Sequence, residues 1–384
     1  MRNSLGNPAR GDAFFERTKE VKKIYRVLSG GTSIYLSAPR RVGKTSILKY
    51  LEESPEDNFH FIYIITESTD SSNDFFKIIF EELVKSDAIQ RLTKITTAFK
   101  DAITGLLGRV KSIEKIELRE VEEPDYFEML TELFSHVKPE HGRVVLMIDE
   151  FPQTIQNIIN KDGNKLAENF ILKNRDLRHH SHLHDKVSFI YTGSVSLFPI
   201  VEKVTELTSI NDLRTVPVEP LDFADGRKFI KRLMENEVAI SDELIDYMLN
   251  KVGWLIPFHL QLIQQEVLDV YESTGKIDHQ SIDLAYEQIV HSRNKPQFEP
   301  YFARLKKIFK DSEYEFVMDI LQYIALNDTI DNNVLSDKAV KYNITETKSI
   351  IDILDGDGYV VKENEKFRYT SPILQLWCKK HICK

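Results

Sequence analysis

The chain has 384 residues, a net charge of −9, and 42% apolar and 29% charged residues. Those fractions fit a globular protein of two or three domains, and without a run of 18 apolar residues no membrane-spanning helix is expected. Two cysteines, Cys378 and Cys383, and an N-terminus with no apolar h-region exclude a disulfide framework and a secretory signal, so a cytoplasmic location is expected. The acid excess excludes a bulk nucleic-acid binder, but residues 1–50 hold eleven Lys and Arg against three acids, a local +8 that leaves −17 for the remainder.

In chain order, Val21, Ile24, Tyr25 and Leu28 recur at helical spacing, and Gly30-Gly31 closes that helix. Ser33–Ser37 is β-branched and aromatic, as a buried strand is. Ala38-Pro39-Arg40-Arg41-Val42-Gly43-Lys44-Thr45-Ser46 follows, and then a helix with Ile47, Leu48 and Leu51 on one face. Strand, loop and helix in this order suit the pattern G-x-x-x-x-G-K-[ST]. Its backbone N–H groups cradle phosphate, its Lys reaches the outer phosphates and its hydroxyl holds Mg²⁺. The helix N-terminus adds free N–H groups and a positive dipole end. Ala38 replaces the first glycine. If that position lies at positive φ, a Cβ costs on the order of 1–2 kcal/mol, and otherwise little. Arg40 and Arg41 suit phosphate, a nucleic-acid backbone or a neighbouring subunit. Most of the basic charge reads as solvated surface.

Phe61–Ile65 is a second strand, and Asn73–Lys85 an amphipathic helix. Residues 88–123 are less regular, a helix and then a strand-like segment over 110–118, and read as an insertion. A helix over Asp125–Val137 leads to a third strand, Val144–Ile148, which ends in Asp149 and Glu150. At the carboxyl end of a buried parallel strand, the first acid holds Mg²⁺ and the second polarises a water for attack on a γ-phosphate. The competing reading, a strand running into a polar loop, loses weight beside residues 38–45. A polar helix near 164–180 precedes a fourth strand, Val187–Tyr191, ending at Thr192-Gly193-Ser194. Ser194 there suits contact with the γ-phosphate or the water, and a plain turn at Gly193 is an equal reading. Arg214–Val218 is a fifth strand. Strands alternating with helices predict a parallel α/β sheet covered on both faces.

Residues 222–310 are helical throughout. From 312, helical patterns over 314–326, 333–341 and 345–355 lead to a strand pair, Gly358–Lys362 and Lys366–Thr370, which together make a winged helix. The reader helix carries three acids and one Lys, and residues 311–384 carry thirteen acids against nine bases. Phosphate contacts supply most non-specific DNA affinity, so a protein contact is the preferred role and DNA the second. His180 and His184 have an i, i+4 metal spacing, but no second pair accompanies them, and a polar loop is the better reading.

These motifs resemble the STAND branch of AAA+-related P-loop ATPases, and more narrowly the archaeal-ATPase family. Residues 38–46 match its G-P-R-R-V-G-K-T-S loop except at Ala38. Ile148–Pro152 matches its acidic strand end and Thr192–Ser194 its sensor strand. Phe15–Glu20 looks like its F-x-x-R-x-x-E entry segment, which places Arg17 near the adenine. Gly253–Phe258 resembles its G-x-P lid element with the Gly and Pro four apart, and Pro257 would pack by the base. Arg214 lies where an arginine finger falls, and a surface arginine is an equal reading.

The resemblance implies a P-loop core over residues 1–221 with an insertion at about 88–123, a helical lid over 222–310 and a winged helix over 311–384. It also implies an ATP/ADP-dependent switch that needs Mg²⁺, with a protein partner and a nucleotide-dependent homo-oligomer. Lys44, Asp149, Glu150 and Ser194 would carry catalysis, Thr45 and Asp149 the metal, and residues 38–46 with Arg17 and Pro257 the nucleotide. The alternatives are a DNA-acting ATPase that regulates a transposase, nuclease or helicase, and a nucleotide-gated scaffold without turnover.

Overall fold

The computed structural model describes the chain except residues 88, 91–96, 115–122, 181, 182, 184 and 384, and omits the side chains of 97–99 and 111–114. It divides into two compact units. One, the sheet unit, holds Glu16–Ser37 and Lys44–Val218. The other, the C-terminal unit, holds Glu219–Lys384 together with Met1–Phe15 and the loop residues Ala38–Gly43.

The sheet unit is built on β1 (Ile34–Ser37), β2 (Phe59–Ile65), β3 (Arg143–Asp149), β4 (Val187–Thr192) and β5 (Arg214–Pro217), in the order β2-β3-β4-β1-β5. Every pairing is parallel. β3 is buried from Val144 to Asp149 and β4 throughout, which is why both read as continuous apolar runs. Register sets Ile65 opposite Asp149 and Leu36 opposite Thr192, so the carboxyl ends of the strands gather the polar groups. An aromatic cluster supports that sheet. The Phe75 and Phe170 rings lie 4.8 Å apart, and those of Phe151 and Tyr191 4.4 Å apart.

Flanking helices follow the apolar spacing. Thr18–Ser29 buries Ile24, Tyr25 and Leu28, and Lys44–Glu53 buries Ile47, Leu48 and Leu51. The strand-like reading of 110–118 is corrected over its first part. The helix Thr97–Glu114 takes in 110–114, and 115–118 lie outside the described residues. Ile103 and Leu106, three apart and buried, show the helical period that the later alternation obscured.

The C-terminal unit carries helices Phe223–Met234, Asp242–Val252, Pro257–Thr274, His279–Ile289 and Lys295–Ile308. Three more, Asp311–Asn327, Asn332–Lys341 and Thr347–Gly356, precede a hairpin of β7 (Val360–Glu363) and β8 (Lys366–Tyr369). A two-residue strand, β6 (Ile330–Asp331), and a last helix, Pro372–His381, complete this region. The hairpin turns at Asn364 and Glu365, both at positive φ, as a two-residue connection between right-twisted strands demands. Trp377 stacks on Phe298 at 4.6 Å.

Candidate functional site

β1 ends at Ser37 and the next helix opens at Lys44, so residues 38–43 are the turn between strand and helix. Gly43 lies at φ 105° and Arg41 at φ 62°, whereas Ala38 is not among the residues at positive φ. Ala38 therefore carries no left-handed strain in place of the pattern's first glycine. Within the C-terminal unit, this turn is held by its arginines. The Arg41 guanidinium lies 3.9 Å over the Phe258 ring and 5.4 Å from the Tyr301 ring. Arg40 donates to the Pro300 carbonyl at 3.1 Å. Pro39 lies so close to Gly358 that a Cβ there would meet it at 2.9 Å. Burial lowers the Arg41 pKa, and neighbouring Arg40 adds to this, but a guanidinium still keeps its charge.

In the sheet unit, Lys44 is buried at the first turn of its helix and Thr45 follows it. The Thr45 hydroxyl donates to Asp149 Oδ2 at 3.2 Å, and the Tyr63 phenol donates to the same oxygen at 2.7 Å. Asp149 Oδ1 accepts the Glu150 N–H at 3.1 Å. Burial raises the Asp149 carboxyl above the usual carboxylate range. The Tyr63 hydrogen bond opposes this, Glu150 adds to it, and Lys44 opposes it. Burial and the Asp149 charge hold the Tyr63 phenol far above its ordinary value, so it stays a donor. The Asp149 backbone is fixed as well. Its carbonyl accepts the Thr66 N–H and hydroxyl, each at 3.1 Å. Thr154 donates to the Thr66 carbonyl at 2.8 Å, and Thr69 to the Thr154 oxygen at 3.1 Å.

Glu150 turns the chain from β3 into the helix Phe151–Asp162 at φ 63° and ψ 27°. A left-handed glutamate costs about 1–3 kcal/mol, and such strain gathers at functional positions. Its Oε2 accepts the Ser194 N–H at 3.0 Å and the Ser194 hydroxyl at 2.9 Å. Gly193 permits this approach, since a Cβ there would lie 2.7 Å from Pro152 Cδ and 3.4 Å from Glu150 Oε2. Asp149, Thr45, Glu150 and Ser194 are thus joined by hydrogen bonds. Two hard oxygens, Thr45 Oγ1 and Asp149 Oδ2, suit Mg²⁺, which prefers one or two protein oxygens plus phosphates and water. Among the described residues no group of three His, Cys, Asp or Glu would hold a metal alone.

Arg17 is buried and pairs with Glu20 just ahead of the helix Thr18–Ser29. Val42 is fully buried and Ser46 half-buried in the first turn of the Lys44–Glu53 helix. Pro257 opens the helix Pro257–Thr274. Arg214 is exposed at the start of β5, the edge strand. His180 follows the helix Asn164–His179, and His184 lies outside the described residues. Sequence reasoning missed Tyr63 and the three threonines. The one signal was a hydroxyl in the middle of an apolar strand.

A parallel sheet in this strand order, a Gly-Lys-Thr turn opening a helix and an acidic pair at the end of β3 define a P-loop ATPase fold. The profile described as "ATPase domain predominantly from Archaea" matches residues 14–253, and the chain belongs to that family. A comparison with curated proteins gives no match. Among solved structures, the chain is similar to the Walker-type ATPase paby2304 of Pyrococcus abyssi, with TM-score 0.65 and 20% identity over 98% of this chain and 99% of that one. It is also similar to the ORC2 protein of Aeropyrum pernix in its ADPNP-ADP complexes, with TM-score 0.53 and 10% identity over 95% and 92%. At these identities the likeness is one of fold. No helix among the described residues is long and apolar enough to cross a membrane.

Proposed function

We propose that this ATPase works as a STAND-type switch, in which the nucleotide state of the phosphate loop is passed to the C-terminal unit. Residues 1–221 then act as the ATPase core with its insertion at about 88–123, residues 222–310 as a lid, and residues 311–384 as a winged helix that meets a protein partner. Lys44 and the loop amides take the phosphates. When bound, Mg²⁺ neutralises phosphate charge, and Thr45 and Asp149 are the residues to hold it. Glu150 positions the attacking water once its carboxylate leaves Ser194, and Ser194 is then free to meet the γ-phosphate. The acids Glu346, Asp352 and Asp355 on and beside the helix Thr347–Gly356 favour a protein over DNA as partner.

The observation that carries the switch is the grip on the loop. Arg40 and Arg41 bind Pro300, Phe258 and Tyr301 of the C-terminal helices, so a loop that reshapes around phosphate must disturb those contacts. Hydrogen exchange of residues 257–274 and 295–308, measured with ATP, with ADP and without nucleotide, tests this. Protection that differs between the states, and stops differing in Lys44→Ala, supports the reading. Identical protection in all three states, with ATP and ADP binding verified separately, refutes it.

A further inference from the structure

The Asp149 carboxylate is held by a residue that belongs to neither nucleotide motif. Tyr63 lies on β2, opposite Met147 of β3, and its phenol is 2.7 Å from Asp149 Oδ2, closer than the Thr45 hydroxyl at 3.2 Å. Tyr63 is itself held at its ring and at its backbone. Lys49 Nζ sits 3.6 Å from the ring centroid, and the Tyr63 N–H donates to Glu52 Oε1 at 2.9 Å. Lys49 and Glu52 pair at 2.8 Å, so one turn of the helix Lys44–Glu53 that begins with the phosphate-binding lysine also sets the tyrosine. The Glu150 N–H takes Oδ1, which leaves Oδ2 to be shared by Tyr63 and Thr45.

We infer that Tyr63 is a positioning residue for the magnesium-binding pair Thr45 and Asp149, presenting the carboxylate to the cation at the angle that Thr45 requires. This rests on the metal assignment proposed above. A phenol hydrogen-bonded to one carboxylate oxygen acts through that oxygen's orientation. Losing a hydrogen bond to a metal-binding carboxylate weakens metal affinity or activity by about 10–100-fold.

Tyr63→Phe removes one oxygen and keeps the ring, its packing and the Lys49 contact. The assay is binding of a fluorescent ATP analogue, first in EDTA and then titrated with Mg²⁺. Expected in Tyr63→Phe are an EDTA affinity within about twofold of the native protein and a Mg²⁺ midpoint raised about tenfold. A purely structural role would instead weaken both equally and lower the melting temperature. Asp149→Ala is run beside it. If Asp149→Ala shifts the Mg²⁺ midpoint and Tyr63→Phe does not, the role of Tyr63 is refuted and the metal assignment stands. If neither shifts it, the metal assignment fails and the inference falls with it.

Discussion

Acid should unfold the C-terminal unit through one buried histidine. His259 is 1% exposed in the first turn of the helix Pro257–Thr274, edge-on to Trp254 at 5.7 Å between rings, and its Nδ1 has no partner. Burial pushes its pKa down to about 3, a hydrogen bond to the Trp254 backbone opposes this, and the charge of Arg41 adds to it. Between that value and the ordinary 6.5, the unfolded chain takes up a proton that the folded chain refuses. Stability from this group is therefore complete above pH 6.5 and lost as pH falls toward 3, at ~1.4 kcal/mol per unit. At pH 5 the loss is about 2 kcal/mol relative to pH 7.5. His259→Gln cannot titrate. Both tryptophans, Trp254 and Trp377, lie in the C-terminal unit, so urea unfolding followed by their emission reports on that unit. The native protein should lose about 2 kcal/mol more than His259→Gln between pH 7.5 and pH 5, whatever the variant's starting stability. Parallel stability curves for the two proteins would refute the reasoning.

Ala38→Gly restores the missing glycine at a position without positive φ, so ATP affinity in a binding titration should stay within about threefold, with stability lower by about 0.4–1 kcal/mol from added chain entropy. Gly193→Ala drives a Cβ to 2.7 Å from Pro152 Cδ. The expected cost is about 1–3 kcal/mol in unfolding, with kcat reduced more than ATP affinity because Ser194 and Glu150 shift together. Thr154→Val removes the buried hydroxyl that joins Thr66 to Thr69. Denaturation should show a loss of about 1–3 kcal/mol, and Mg²⁺ affinity should fall as the Asp149 backbone loosens.

The sheet was legible because its central strands are buried on both faces and so read as apolar runs, Val144–Ile148 above all. The acidic pair and the Gly-Lys-Thr turn were legible because their chemistry lies within a few residues of chain. The strand-like reading near residue 110 failed on short alternation, where Ile103 and Leu106 already marked a helix. Tyr63 was readable as a strand residue only, since its meaning comes from pairing with β3, 84 positions on. The loop arginines pointed to phosphate by charge, yet Arg41 rests on Phe258 and Tyr301, more than 200 residues away. Contacts of that separation leave no local pattern. The same holds for the first residues, where Asn3 donates to Gln264 Oε1 at 2.7 Å.

Hydrolysis of Mg²⁺-ATP by the purified protein beside a Glu150→Gln variant tests the assigned site most directly. The proposed function predicts turnover in the native protein, and loss of turnover with ATP binding kept in the variant, because it gives Glu150 the water and leaves phosphate binding to the loop. Equal turnover in the two proteins would contradict it.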